Sequence, residues 1–67
     1  MDFKKRLKEI RRDNHFTQKQ LAEKLYVTET SIRDWENRGH QPSYETLCEI
    51  AKIFDVTVGQ LLGTEEY

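Results

Sequence analysis

Between Thr28 and Asp34 the sequence TETSIRD sets two threonines, two carboxylates and an arginine around two helical turns, while Ile32 and Trp35, three apart, share the opposite face. Such a row is equipped for hydrogen-bond recognition. The guanidinium offers a rigid fork of donors, the carboxylates only accept, and the hydroxyls do both. It is not equipped for making bonds: no cysteine–histidine pair or carboxylate constellation stands at a catalytic spacing, so an enzyme is not expected. His15 and His40 have no cysteine or second histidine at ligand spacing, and neither a metal nor a cofactor is implied.

Presenting that row outward requires a helix, and the beginning of one is written in its caps. Thr28 is an N-cap residue, with Ile32 and Trp35 turned inward behind it. Upstream, Thr17 with Gln20 forms a capping box, and Phe16 with Leu21 forms the hydrophobic staple that sets the entry angle of an earlier helix. Leu21, Ala22 and Leu25 share that helix's apolar face, while Lys19, Glu23 and Lys24 face solvent. Only Tyr26 and Val27 lie between its end and Thr28. A link that short forces the helices to cross steeply, with Val27 placed to plug the corner. Residues 17–37 are therefore expected to be two helices meeting at a tight turn, a shape that lays the second helix in the major groove of DNA.

The rest of the chain supplies a scaffold. Asp2 caps a first helix whose apolar stripe is Phe3, Leu7 and Ile10, ending near Asp13–Asn14. The loop Asn37-Arg38-Gly39-His40-Gln41-Pro42 holds both strong helix breakers. Ser43 caps a fourth helix with Leu47, Ile50, Ala51 and Phe54 in phase. Thr57 with Gln60 and Val56 with Leu61 repeat the box and staple for a fifth, ending at Gly63. Glu65-Glu66-Tyr67 is expected to fray. Sixty-seven residues leave room for one core, so a single domain over 1–67 is expected.

The stretches TQKQLAEKL, VTETSIRDWEN, QPSYETLCEIAKIFDV and TVGQLLG, in this order and at these spacings, resemble the Cro/repressor-type (XRE-like) helix-turn-helix family, from Phe3 to Gly63. The resemblance implies an all-α, compact five-helix domain of the phage repressor DNA-binding type, whose third helix reads double-stranded DNA. Carried over position by position, the base-contacting sites fall on Thr28, Glu29, Thr30 and Asp34, and helix geometry adds Arg33. Arg33 suits guanine O6 and N7, and the threonine methyls suit thymine methyls. Glu29 and Asp34 stand where amides are common; a carboxylate favours cytosine N4, although Glu29 equally suits the positive end of a helix. Backbone contacts are expected from Gln18, at the N-terminus of the first motif helix, from Ser31, and from Asn37, Arg38, His40 and Tyr44 around the following loop. Loop exposure alone also accounts for His40 and Tyr44. The resemblance pairs Glu36 with Arg11, while Trp35, sharing a face with Ile32, is expected in the core. Two positions depart from it: Tyr26 stands where the family places glycine at a left-handed turn, and Gly39 comes one residue late.

A net charge of −1 is unusual for a partner of DNA, but the charge is polarised. Residues 1–24 carry eight basic against four acidic side chains, whereas residues 41–67 carry Lys52 against five acids. The basic first helix reads as a solvated face or as a partner surface. Two function classes stand open. One is a sequence-specific DNA-binding transcriptional regulator, a repressor-like homodimer on a two-fold operator with Ile53, Val58 and Leu62 as a dimer surface; Leu62 fits the core equally well. The alternative is a protein-interaction or antitoxin-like subunit that keeps the fold, which the acidic face carrying Glu29 and Asp34 favours. With no room for a small-molecule effector domain, a signal is expected to act through dimerisation, a protein partner or competition at DNA. No run approaches the ~18 apolar residues of a membrane span and no signal peptide precedes the fold, so no membrane association and a cytoplasmic location are expected. The lone Cys48 excludes an intrachain disulfide.

Overall fold

The computed structural model describes residues 2–67 and contains five helices among them: α1 (Phe3–Asp13), α2 (Gln18–Leu25), α3 (Glu29–Asn37), α4 (Tyr44–Phe54) and α5 (Val58–Leu62). Each helix begins where its capping chemistry places it. The side chains of Asp2, Thr17, Thr28, Ser43 and Thr57 accept from a backbone N–H three residues on, and both capping boxes close reciprocally.

The apolar stripes converge on one core. Leu7, Ile10, Leu21, Ile32, Ile50 and Leu61 are fully enclosed, with Phe3, Leu25, Trp35, Leu47 and Phe54 packed around them. Phe16, the staple residue, meets Phe54 edge-on at 5.3 Å between ring centroids, tying the α1–α2 turn to α4. Helix α1 packs on α3 and α5, and α2 packs on α3 and α4, so α3 is held from behind by two helices. Its outer side stays free. Val27 packs against the core at the corner between α2 and α3, as the short link requires.

Three non-glycine residues, His15, Tyr26 and Asp55, adopt the left-handed conformation. Each follows a helix and is succeeded by an amide that reaches back five residues: Phe16 to Arg11, Val27 to Ala22 and Val56 to Ala51. Gly63, followed by the bond from Thr64 to Gly59, closes α5 in the same way. This is the Schellman arrangement, which satisfies the last carbonyls of a helix and demands φ > 0 at one residue. The departure at position 26 therefore leaves the turn geometry intact and places its cost in the Tyr26 backbone (φ 56). The ring recovers nothing, being 96% exposed. Tyr26→Gly is expected to stabilise the fold by about 1 kcal/mol, raising Tm by roughly 4–8 °C for a domain of this size. Thermal denaturation followed by circular dichroism measures it, and a lower Tm would show that the tyrosine contributes a contact.

The C-terminal segment departs from expectation. It is docked, not frayed: Arg6 Nη1 donates to the carbonyls of Gln60 (2.6 Å) and Glu65 (3.0 Å), Gln60 Nε2 donates to the Glu66 carbonyl (2.9 Å), and the Tyr67 ring lies 5.7 Å from the Arg6 guanidinium carbon. The reason is a charged residue turned inward, since Arg6 is only 8% exposed.

Candidate nucleic-acid interface

The outer face of α3 forms the centre of the site. Thr28, Thr30 and Arg33 are exposed, and Glu29, Ser31 and Asp34 are half-exposed beside them. Thr28 Oγ1 accepts from the Ser31 amide at 3.1 Å and lies 3.0 Å from Ser31 Oγ, so the cap hydroxyl and the Ser31 hydroxyl are engaged with each other. What Thr28 presents outward is chiefly its methyl group.

The acids on this face are not bare. Arg33 Nη2 lies 3.6 Å from Glu29 Oε2, and Arg38 Nε lies 3.7 Å from Asp34 Oδ1, both across one helical turn. The four side chains sum to zero charge, which removes much of the repulsion that Glu29 and Asp34 would impose on a phosphate. Exposed pairs of this kind contribute at most about 1 kcal/mol, so Arg33 is free to leave Glu29 for a stronger bidentate acceptor. The i, i+4 spacing that announces both pairs is visible in the sequence.

Behind the face stands a buried network. Arg11 Nε donates to Glu36 Oε2 at 2.6 Å and Nη2 donates to Oε1 at 3.0 Å, a bidentate fork; Nη1 donates to the Phe16 carbonyl at 2.7 Å. The Glu36 side chain is completely enclosed. It takes a further bond from Gln18 Nε2 at 3.2 Å. One carboxylate thus joins the end of α1, the α1–α2 turn, the start of α2 and the last turn of α3. Gln18 is held by this network, with its second amide hydrogen and its backbone N–H uncommitted. Thr17 and Gln20 satisfy each other, leaving the amides of Gln18 and Lys19 as the uncommitted donors of the α2 N-terminus.

Asn37, Arg38 and His40 are exposed after α3, and Tyr44 at the start of α4 is 70% exposed. Hydrogen bonding with Cys48, and then the Coulombic effect of that residue, raises the Tyr44 phenol above its ordinary 10.0. These residues and Gln18 flank the α3 face. Ile53, Val58 and Leu62 lie elsewhere, on α4 and α5. All three are half-buried, and Ile53 and Leu62 pack against the core, which leaves less apolar surface there than the sequence suggests.

Two short helices at a tight turn, the second held from behind and bare in front, define a helix-turn-helix domain. The profile of the helix-turn-helix family matches residues 7–61, and the chain belongs to that family. It is 44% identical over 66 residues to the HTH-type transcriptional activator BcrR of Enterococcus faecalis, covering 98% of this chain and 32% of that protein. It is 35% identical over 66 residues to the HTH-type transcriptional regulator ImmR of Bacillus subtilis, covering 98% of this chain and 52% of that protein. The immunity repressor protein of Bacillus phage phi105 is 35% identical over 60 residues, 90% of this chain and 42% of the repressor. The chain thus spans a third to a half of the length of these relatives. Among the described residues no helix is long and apolar enough to cross a membrane.

Proposed function

We propose that these residues form the DNA-reading domain of a transcriptional regulator. The carrying observation is the exposed, internally neutralised outer face of α3, with Gln18 held against its last turn by Glu36 and the exposed Asn37, Arg38, His40 and Tyr44 following it. Thr28, Glu29, Thr30, Arg33 and Asp34 face the base edges in this reading. Gln18, Ser31, Asn37, Arg38, His40 and Tyr44 hold the sugar–phosphate backbone, and so fix register without carrying sequence information. A homodimer would place two such faces on half-sites about one helical turn apart, with Ile53, Val58 and Leu62 as the surface to test. The names of the relatives include both an activator and a repressor. In this reading the shared domain supplies the address, and the direction of regulation is set by what the bound protein does there.

The test is a gel-shift titration of the chain on random duplex and on sequences selected from a random pool, at two salt concentrations. Salt-dependent binding with selected sequences preferred is the expected result. Absence of any salt-dependent binding would overturn the proposal and favour the protein-interaction alternative. Within the same assay, Arg33→Ala is expected to lose about 1–3 kcal/mol of discrimination at one base position. Gln18→Ala is expected to weaken all sequences alike.

A further inference from the structure

Helix α1 carries a charge pattern that the helix-turn-helix motif leaves unused. Lys4, Lys5, Lys8 and Arg12 fall on one side of it, with Glu9 at the edge of the row and Asp13 beyond it. With Glu9, Asn37 and the buried Glu36 they line an open groove of about 420 Å³ between α1 and the end of α3. The acids near that groove are already occupied, Glu9 by Arg6 at 3.3 Å and Glu36 by Arg11 at 2.6 Å. Among the described residues, none of the four cations belongs to an ion pair. The stripe also reaches the loop after α3: a Cβ at Gly39 would stand 3.8 Å from Lys4 Cδ.

We infer that this stripe is a second phosphate track, gripping the DNA strand beyond the phosphates reached by Asn37 and Gln18. The inference rests on the reading of α3 as a DNA-binding helix and extends the contact surface past the motif. Three observations select duplex phosphates as the occupant. Four cations outside any ion pair outnumber the two acids of the lining, each of which is held by an arginine. The groove is continuous with Asn37, at the end of the reading helix. From Lys4 to Arg12 the helix rises about 12 Å, several times the roughly 3.4 Å axial rise per phosphate on one strand, so the row is long enough to follow a strand past more than one phosphate. A solvated face would need no such continuity with the α3 loop. The polarity of the chain then has a use: four of its basic side chains are concentrated where the backbone passes.

Counterion release makes the inference measurable, because each lost phosphate contact flattens the plot of log affinity against log salt by about 0.9. The binding of fluorescent duplex, both random and selected, would be followed by anisotropy from about 50 to 200 mM salt. Lys8→Gln/Arg12→Gln is compared with Lys24→Gln/Lys52→Gln, which changes the net charge equally on α2 and α4. The α1 pair is expected to flatten the slope by about 2 and to weaken random and selected duplexes by the same factor. The control pair is expected to leave the slope at the wild-type value. Equal slopes for both pairs, with wild-type binding still salt-dependent, would overturn the α1 track and leave the α3 reading standing. Loss of salt-dependent binding in the wild type would instead remove both. Melting curves establish that the variants fold; Lys5→Gln/Arg12→Gln, at two fully exposed positions, substitutes if the first pair melts early.

Discussion

Glu36→Ala is expected to lower stability by about 3–5 kcal/mol, because it strips the partner from a buried guanidinium and leaves that charge uncompensated. Glu36 is 3% exposed and Arg11 7%, and both carboxylate oxygens are engaged. A domain of this size has roughly 3–10 kcal/mol to lose, so the variant would lie at the edge of folding. Equilibrium urea denaturation measures the change. The double variant Arg11→Met/Glu36→Leu separates the causes: replacing the whole pair by apolar side chains is expected to recover most of the loss, although the Phe16 carbonyl and Gln18 amide lose their partners. DNA binding should behave differently from stability. Gln18 is oriented by Glu36, so the double variant is expected to fold and still bind all sequences more weakly. A Glu36→Ala protein that unfolds at the wild-type urea concentration would show that the pair contributes nothing to the fold.

What was legible in the sequence is what is decided locally. Thr17 with Gln20 and Thr57 with Gln60 close their boxes within four residues, and the stripes through Leu7, Leu21, Ile32 and Ile50 need only helical periodicity to be found. Arg11 and Glu36 became a pair through the family resemblance, since nothing local links residues so far apart. The misses are of a different kind. Arg6 resembles any other member of the basic helix in sequence, because its acceptors are backbone carbonyls at Gln60 and Glu65, and a carbonyl leaves no mark on residue identity. His15 and Asp55 are of types that tolerate φ > 0 better than most, but that signal is too weak to place a turn by itself. Gln18 reads as a free amide at a helix start, and only the packing of α3 behind it shows where one of its hydrogens goes.

The same distinction explains why the acidic reading face looked more adverse than it is. Glu29 and Asp34 taken alone argue against phosphate. Taken with Arg33 and Arg38 one turn along, they form two weak pairs that hold the arginines near the groove-facing side without fixing them. A face of this kind has little net attraction for DNA and substantial directional chemistry. That places the burden of affinity on groups outside the motif, and α1 is the element with cations to spare.

Arg6→Ala is expected to cost about 2–4 kcal/mol, the second largest loss, and its signature is local. The side chain supplies two charge-assisted bonds to carbonyls, each contributing about 1.5–3 kcal/mol, and the loosened carbonyls partly regain water. Nε lies 3.3 Å from Glu9 Oε1 without an aligned hydrogen bond, so that contact adds attraction but little geometry. The affected region is the end of α5 and the segment after it, where the amides of Gly63, Thr64 and Glu65 bond back to Gln60 and Gly59. Amide hydrogen exchange should therefore quicken at residues 63–65 well beyond the effect on α2 and α3. Arg12→Gln, which removes the same charge from the exposed side of α1, is expected to leave stability within about 0.5 kcal/mol. Arg6→Lys tests the geometry: an ammonium keeps the charge but lacks the planar fork, so it should recover only part of the loss. Were exchange at residues 63–65 unchanged in Arg6→Ala, the guanidinium would be a passenger beside α5 and the docking of the C-terminal segment would rest on Thr57, Gln60 and the Gly59 carbonyl.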